Sequence, residues 1–154
     1  MIAITQAEFD KLRAHLEAGY PNEACGLFIG EIDGPDKRVV EVVPTVNAWA
    51  PLEGDDAGHD DSAVHDLRDR FSIDPRDIVK ADRDASKRGL DIIGFFHSHP
   101  DWPATPSETD RMWAWPVVSF VIVSVAAGKA GAARSWVLRD GRDAFDEETL
   151  IVEQ

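Results

Sequence analysis

The sequence predicts a mixed α/β domain, a central sheet with helices packed on it. Three observations lead there. Short apolar runs of strand-like composition alternate along the chain with amphipathic stretches that carry helix caps. The length, 154 residues, suits one domain that buries roughly two-thirds of its unfolded surface, and no repeat or linker divides it. Hydrophobic residues at 44% and charged residues at 29% give the balance of an ordinary globular protein. Residues 1–154 are therefore read as a single domain.

The elements follow in order. Ile2-Ala3-Ile4 reads as an opening strand, and Thr5-Gln6-Ala7-Glu8 has the form of a capping box at a helix start. Phe9, Leu12, Leu16 and Tyr20 recur at helical spacing, and Gly19 with Pro21 supplies the stop. Cys25 to Ile32 and Val39 to Val46 read as two strands joined by a turn at Asp33-Gly34-Pro35. From Asn47 to about Arg70 the periodicity fails. Glu53, Asp55, Asp56, Asp60, Asp61, Asp66 and Asp69 crowd this stretch, which is expected to be an exposed loop with little regular structure.

Asp74-Pro75 pairs an N-cap with proline at the first helical position, opening a helix to about Arg88 that Gly89 ends. Leu90 to Phe96 is an apolar strand that runs directly into His97-Ser98-His99-Pro100. Thr105-Pro106-Ser107-Glu108 again has the form of a cap, with threonine first, for a helix that ends before Pro116. Val117 to Val125 and Ala132 to Arg139 are two further strands. Asp140-Gly141 then turns the chain into a last strand near Phe145 to Val152.

Charge and cysteine content exclude several function classes. Sixteen Lys and Arg against twenty-nine Asp and Glu leave a formal charge of −13. Such a surface repels phosphate backbones and anionic lipid, so neither a nucleic-acid nor a membrane-surface partner is expected. Met112 to Gly128 is uncharged, yet it is 17 residues long, contains Pro116 and is rich in Val, which suits a buried strand rather than a membrane span. Glu8, Asp10 and Lys11 stand where a secretory leader needs an apolar run, so a cytoplasmic protein is expected. The lone Cys25 excludes an internal disulfide and a Cys-rich zinc module.

The chemistry concentrates in one segment. His97 and His99 stand at a strand end, where residues i and i+2 point the same way, so both imidazoles can address one metal ion while Ser98 faces away. A tetrahedral catalytic zinc needs a third protein ligand and an open position for water. Asp110 is placed for that role on the helix begun by Thr105, with Ser107 three residues before it on the same helical face. Two imidazole nitrogens and a carboxylate oxygen suit zinc better than calcium or magnesium, which prefer oxygen shells. A bare H-x-H is a weak signal; the weight lies in the conjunction of strand end, paired histidines, capped helix and aspartate.

His97-x-His99, seven residues, Ser107, two residues and Asp110 resemble the JAMM motif of MPN-type metalloproteases without a departure. Pro21-Asn22-Glu23-Ala24-Cys25-Gly26-Leu27 likewise resembles the family's Glu-x-Cys-Gly segment after the first helix. The resemblance implies a mixed, curved central sheet flanked by helices, an architecture related to cytidine deaminases. It implies one zinc ion per chain on His97, His99 and Asp110, with water as fourth ligand. Glu23 would take the proton of that water and pass it to the leaving amine, and Ser107 would help stabilise the oxyanion. Stand-alone proteins of this type resemble those that act on small ubiquitin-like or sulfur-carrier proteins. The implied reaction is hydrolysis of an amide or isopeptide bond at a C-terminal Gly-Gly tail, the tail docking along a sheet edge flanked by residues 47–70 and 100–106.

Other readings stand beside this one. The same zinc chemistry serves a deubiquitinase-like, phage-tail or cell-wall peptidase, and an MPN domain without catalysis serves as a scaffold in a complex. A cytidine deaminase needs a cysteine pair that this chain lacks, and His97-x-His99-x-Asp101 departs from a metallo-β-lactamase pattern at Trp102. Cys25 reads as core, His15 as surface, and His59 with His65 as part of a solvated acidic loop rather than a second metal site. Trp102, Trp113 and Trp115 flank the motif helix, either lining a substrate groove or packing beneath it. The sequence leaves oligomeric state open.

Overall fold

The computed structural model describes residues 1–51 and 65–154. Eight strands form one mixed sheet: β1 (Ile2–Thr5), β2 (Cys25–Asp33), β3 (Asp36–Thr45), β4 (Asp91–Pro100), β5 (Ser119–Ala126), β6 (Lys129–Leu138), β7 (Phe145–Glu148) and β8 (Leu150–Glu153). Their order is β7-β6-β5-β4-β2-β3-β1-β8. β4 pairs antiparallel with β2 and parallel with β5, and β1 runs parallel to both β3 and β8. The expected single last strand is in fact two strands, one at each end of the sheet, with only Thr149 between them. A sheet whose opposite edges are one residue apart must curl nearly into a barrel, so the expected mixed, curved sheet is what this chain forms.

Helices cover both faces. α1 (Gln6–Gly19) is capped by Thr5, whose hydroxyl accepts from the Glu8 amide, as the capping-box pattern predicts. It seats Leu12 and Leu16 on Ile2, Ile4, Phe28, Phe96 and Val123. α2 (Pro75–Lys87), capped by Asp74, seats Ala81 and Ala85 on Leu27, Ile29 and Phe95 across the sheet. A bulge in β4 sets which histidines meet which face. Phe28 pairs with Gly94 and Ile29 with Ile92, leaving Ile93 as an extra residue that shifts the alternation. Beyond it, Phe96 and Ser98 face the α1 side, while Phe95, His97 and His99 share the other.

α3 (Glu108–Trp113) starts later than the sequence suggests. Its N-cap is Ser107, not Thr105: the Ser107 hydroxyl accepts from the Asp110 amide at 3.0 Å, and the Asp110 carboxylate accepts from the Ser107 amide at 2.8 Å. Thr105 also has an acid three residues on, Glu108, but Glu108 is itself the first residue of α3, so the reciprocal cap forms two residues later, between Ser107 and Asp110. His15 also departs from expectation. It is half-buried on α1, its Nε2 2.9 Å from the Cys25 carbonyl oxygen and its ring edge-on to Phe96. Cys25 is buried core, as expected.

Candidate metal centre

β4 delivers the two histidines, and Ser98 between them fixes what lies beside them. Ser98 donates its amide to the Ala24 carbonyl and accepts the Ala24 amide on its hydroxyl, each at 2.9 Å. That reciprocal pair holds Glu23, one residue earlier, against the imidazoles. Gly26 then lets β2 run close: a Cβ there would sit 2.3 Å from the Phe96 ring and 2.5 Å from the Val43 carbonyl oxygen. One carboxylate oxygen of Glu23 and one nitrogen each of His97 and His99 all lie within 4.8 Å of one another. Asp110 closes the group from α3, with Oδ1 3.2 Å from His97 Nε2 and Oδ2 3.1 Å from His99 Nε2.

The five residues singled out from sequence thus gather in one place: Glu23, His97 and His99 at a buried floor, Asp110 nearly buried, and Ser107 exposed at the rim. Three contributors carry no sequence signal. Phe71 stacks on the His97 ring at 4.4 Å. Asn47 donates its amide to the carbonyls of Glu23 and Arg70 and accepts from the amides of Trp49 and Ser72. The Pro103 carbonyl accepts from His99 Nδ1 at 2.8 Å. The described ends of the acidic loop are therefore not merely solvated: Leu67 accepts the Glu23 amide at 2.7 Å. His59 and the rest of 52–64 lie outside the described residues, whereas His65 is engaged with Asp69 and Arg70.

The electrostatics separate the two carboxylates. Burial, then the negative charges of Asp110 and Asp69, push the Glu23 carboxyl up to about 9, with Arg70 pulling weakly the other way. Burial also works against ionised Asp110, but His97 and His99 outweigh it and hold that carboxyl well below the usual carboxylate range. Burial presses His97 towards its neutral form.

This donor set fits a divalent cation. Because a carbonyl only accepts, His99 Nδ1 carries a proton, which leaves Nε2 as the ring atom that could be offered to a metal ion. His99 Nε2 lies 3.1 Å from Asp110 Oδ2 and 3.1 Å from the Nε2 of His97. Two ring nitrogens and two carboxylate oxygens this close can address one cation together. A tetrahedral zinc with bonds of 2.0–2.1 Å sets its ligands about 3.3 Å apart, close to the separations present here.

The chain matches the family described as prokaryotic homologs of the JAB domain over residues 5–139. It belongs to that family. Among JAB-family relatives, a desampylase of Haloferax volcanii is 30% identical over 120 residues, spanning 75% of this chain and 74% of that one. A desampylase of Pyrococcus furiosus is 31% identical over 85 residues, and the match spans 54% of this chain and only 56% of that relative. A probable TtuB-protein conjugate cleaving protease of Thermus thermophilus is 27% identical over 124 residues, 78% of this chain and 70% of that one. The solution structure of a protein from Desulfitobacterium hafniense, 33% identical, superposes with a TM-score of 0.79 over 100% of this chain and 94% of its own. A JAB1/MPN domain protein from Archaeoglobus fulgidus, at 15% identity and a TM-score of 0.57 over 99% of both chains, shares the fold.

Two sequence expectations resolve differently around this JAB-family centre. Trp102, Trp113 and Trp115 are all exposed, and the Trp115 ring also packs edge-on against Phe95. Among the described residues the sheet edges lie away from the histidines: β4 is flanked by β2 and β5, and the edge strands β7 and β8 carry none of the site's residues.

Proposed function

We propose that this protein is a zinc isopeptidase that hydrolyses the amide bond following the C-terminal Gly-Gly of a small ubiquitin-like or sulfur-carrier protein. The observation that carries the reading is the convergence of His97 Nε2, His99 Nε2 and both Asp110 oxygens, with the buried Glu23 carboxyl alongside. The names of the relatives, desampylases and a conjugate-cleaving protease, support the substrate class. His97, His99 and Asp110 would hold one zinc ion. Zinc bound there would supply Lewis-acid activation of water at neutral pH.

This chain's own residues do the rest. A cation held by the other three favours ionised Glu23, offsetting what burial and Asp110 do to it. Glu23 then accepts a proton from the attacking water and returns it to the leaving amine. Ser107 accepts the Asp110 amide on its hydroxyl oxygen, which leaves its own proton free to donate to the oxyanion developing on the scissile carbonyl. We take residues 1–154 as one catalytic domain, since a single sheet runs from Ile2 to Glu153. A cytoplasmic setting without nucleic-acid or membrane partners belongs to the same proposal; among the described residues no helix is long and apolar enough to cross a membrane.

The test is direct. A carrier protein joined through its Gly-Gly carboxylate to a lysine side chain is incubated with the zinc-loaded protein. Cleavage after the second glycine, stopped by a chelator and restored by zinc, is expected. Intact conjugate, with linear Gly-Gly fusions also untouched, would overturn the assignment.

A further inference from the structure

The loop 101–107 joins the two halves of the centre: it starts two residues after His99 and ends three before Asp110. Its Trp102 amide donates to the His99 carbonyl at 3.3 Å, and its contact with the His99 ring is the Pro103 carbonyl, which fixes where the His99 proton sits. That carbonyl is held in place by residues from elsewhere in the fold. The Trp136 indole on β6 donates to the Ala104 carbonyl at 3.1 Å, and Ala104 is buried. Indole N–H is a donor only, so this bond has a single reading. At the other end of the loop Asp101 turns the chain back after β4 with φ +58°, a left-handed conformation that aspartate tolerates. Its carboxylate accepts the Ala127 amide at 2.9 Å and the Tyr20 hydroxyl at 2.8 Å. Tyr20 lies three residues before Glu23 on the chain leaving α1.

We infer that Trp136 and Asp101 are positioning residues of the metal centre, setting the tautomer and orientation of His99 through the Pro103–Ala104 carbonyls. Neither touches the converging ligand atoms. Asp101, through Tyr20, also ties the loop that orients a metal-binding imidazole to the segment that carries the buried glutamate. The inference rests on the zinc reading above and deepens it.

Zinc affinity, read by competition with a chromophoric chelator, separates the two; melting of the metal-free protein is followed in parallel. Trp136→Phe keeps a ring beside Arg134 and deletes the N–H donor. Its zinc dissociation constant should rise on the order of 10–100-fold, with metal-free melting little changed. Arg134→Ala, which leaves the indole donor intact, should bind zinc as the parent does. Tyr20→Phe and Asp101→Ala should each weaken zinc binding, and Asp101→Asn, which retains an acceptor and the left-handed turn, should recover most of it. Should Trp136→Phe fail to fold, Tyr20→Phe at its half-exposed ring decides. Zinc affinities of Trp136→Phe and Tyr20→Phe within about twofold of the parent, whatever their melting temperatures, would overturn the inference. A parent protein that takes up no zinc would instead sink the zinc reading, an outcome visible before any variant is compared.

Discussion

Glu23 and Asp110 are two carboxylates facing the same pair of imidazoles, and their surroundings drive them in opposite directions. Glu23 follows α1 on a segment whose backbone is fully committed, its amide to Leu67 and its carbonyl to Asn47. Its side chain is left in a buried setting beside further negative charge, and the carboxyl rises to about 9. Asp110 sits in the first turn of α3, where the Ser107 amide donates to it and both histidines lie against it, and its carboxyl stays ionised. A group held ionised suits a permanent ligand. A group whose proton affinity is tuned by its neighbours suits proton exchange. Divergent environments around paired acids are how one site assigns two roles to one functional group.

The largest effect that tests this contrast is Asp110→Ala. It removes the carboxylate proposed as a ligand and the returning bond of the α3 cap, and peptidase activity should fall to the assay background; appreciable turnover would mean that Asp110 is not a ligand. Glu23→Gln comes next. It keeps the shape of the buried side chain and deletes its basicity, so turnover should drop on the order of 10²–10⁴-fold in steady-state assays, while circular dichroism stays that of the parent.

Ser107 probes the rim between the two. Ser107→Ala loses the cap and the proposed oxyanion donor, so turnover should fall on the order of 10²–10³-fold and stability by about 1 kcal/mol in denaturant titration. Ser107→Thr keeps a hydroxyl in both capacities and should retain most of each. A cap lost without loss of rate would confine Ser107 to structure. The smallest effect concerns Cys25, next but one to Glu23. It is buried and weakly bonded to Thr45, and burial pushes its thiol up to about 11. Iodoacetamide at neutral pH should leave the folded protein unlabelled and fully active, and should add one label after unfolding; rapid labelling of the native state would reopen a nucleophilic role.

The contrast between these carboxylates also marks what the sequence reveals. His97, His99 and Asp110 can be placed from local rules, strand alternation and helix capping, because each depends on its near neighbours in the chain. The start of α3 is misread by two residues because Thr105-Pro106 and Ser107-x-x-Asp110 both have cap chemistry, and only the reciprocal bond chooses between them. The split of the last strand at Thr149 depends on the curl of the whole sheet, which no local pattern encodes. Phe71, Asn47 and Leu67 reach the site across long separations, two of them from a stretch whose composition reads as a solvated loop. Pro103 acts through its backbone carbonyl, which gives its side chain no signature at all.

The central claim, that Asp110 holds the metal and Glu23 does not, is tested most directly by metal content. The parent, Glu23→Gln and Asp110→Ala proteins are purified without chelator or a histidine tag and analysed side by side by mass spectrometry. About one zinc per chain is predicted for the parent and for Glu23→Gln, and none for Asp110→Ala. Zinc retained by Asp110→Ala and lost from Glu23→Gln would reverse the two roles and contradict the account.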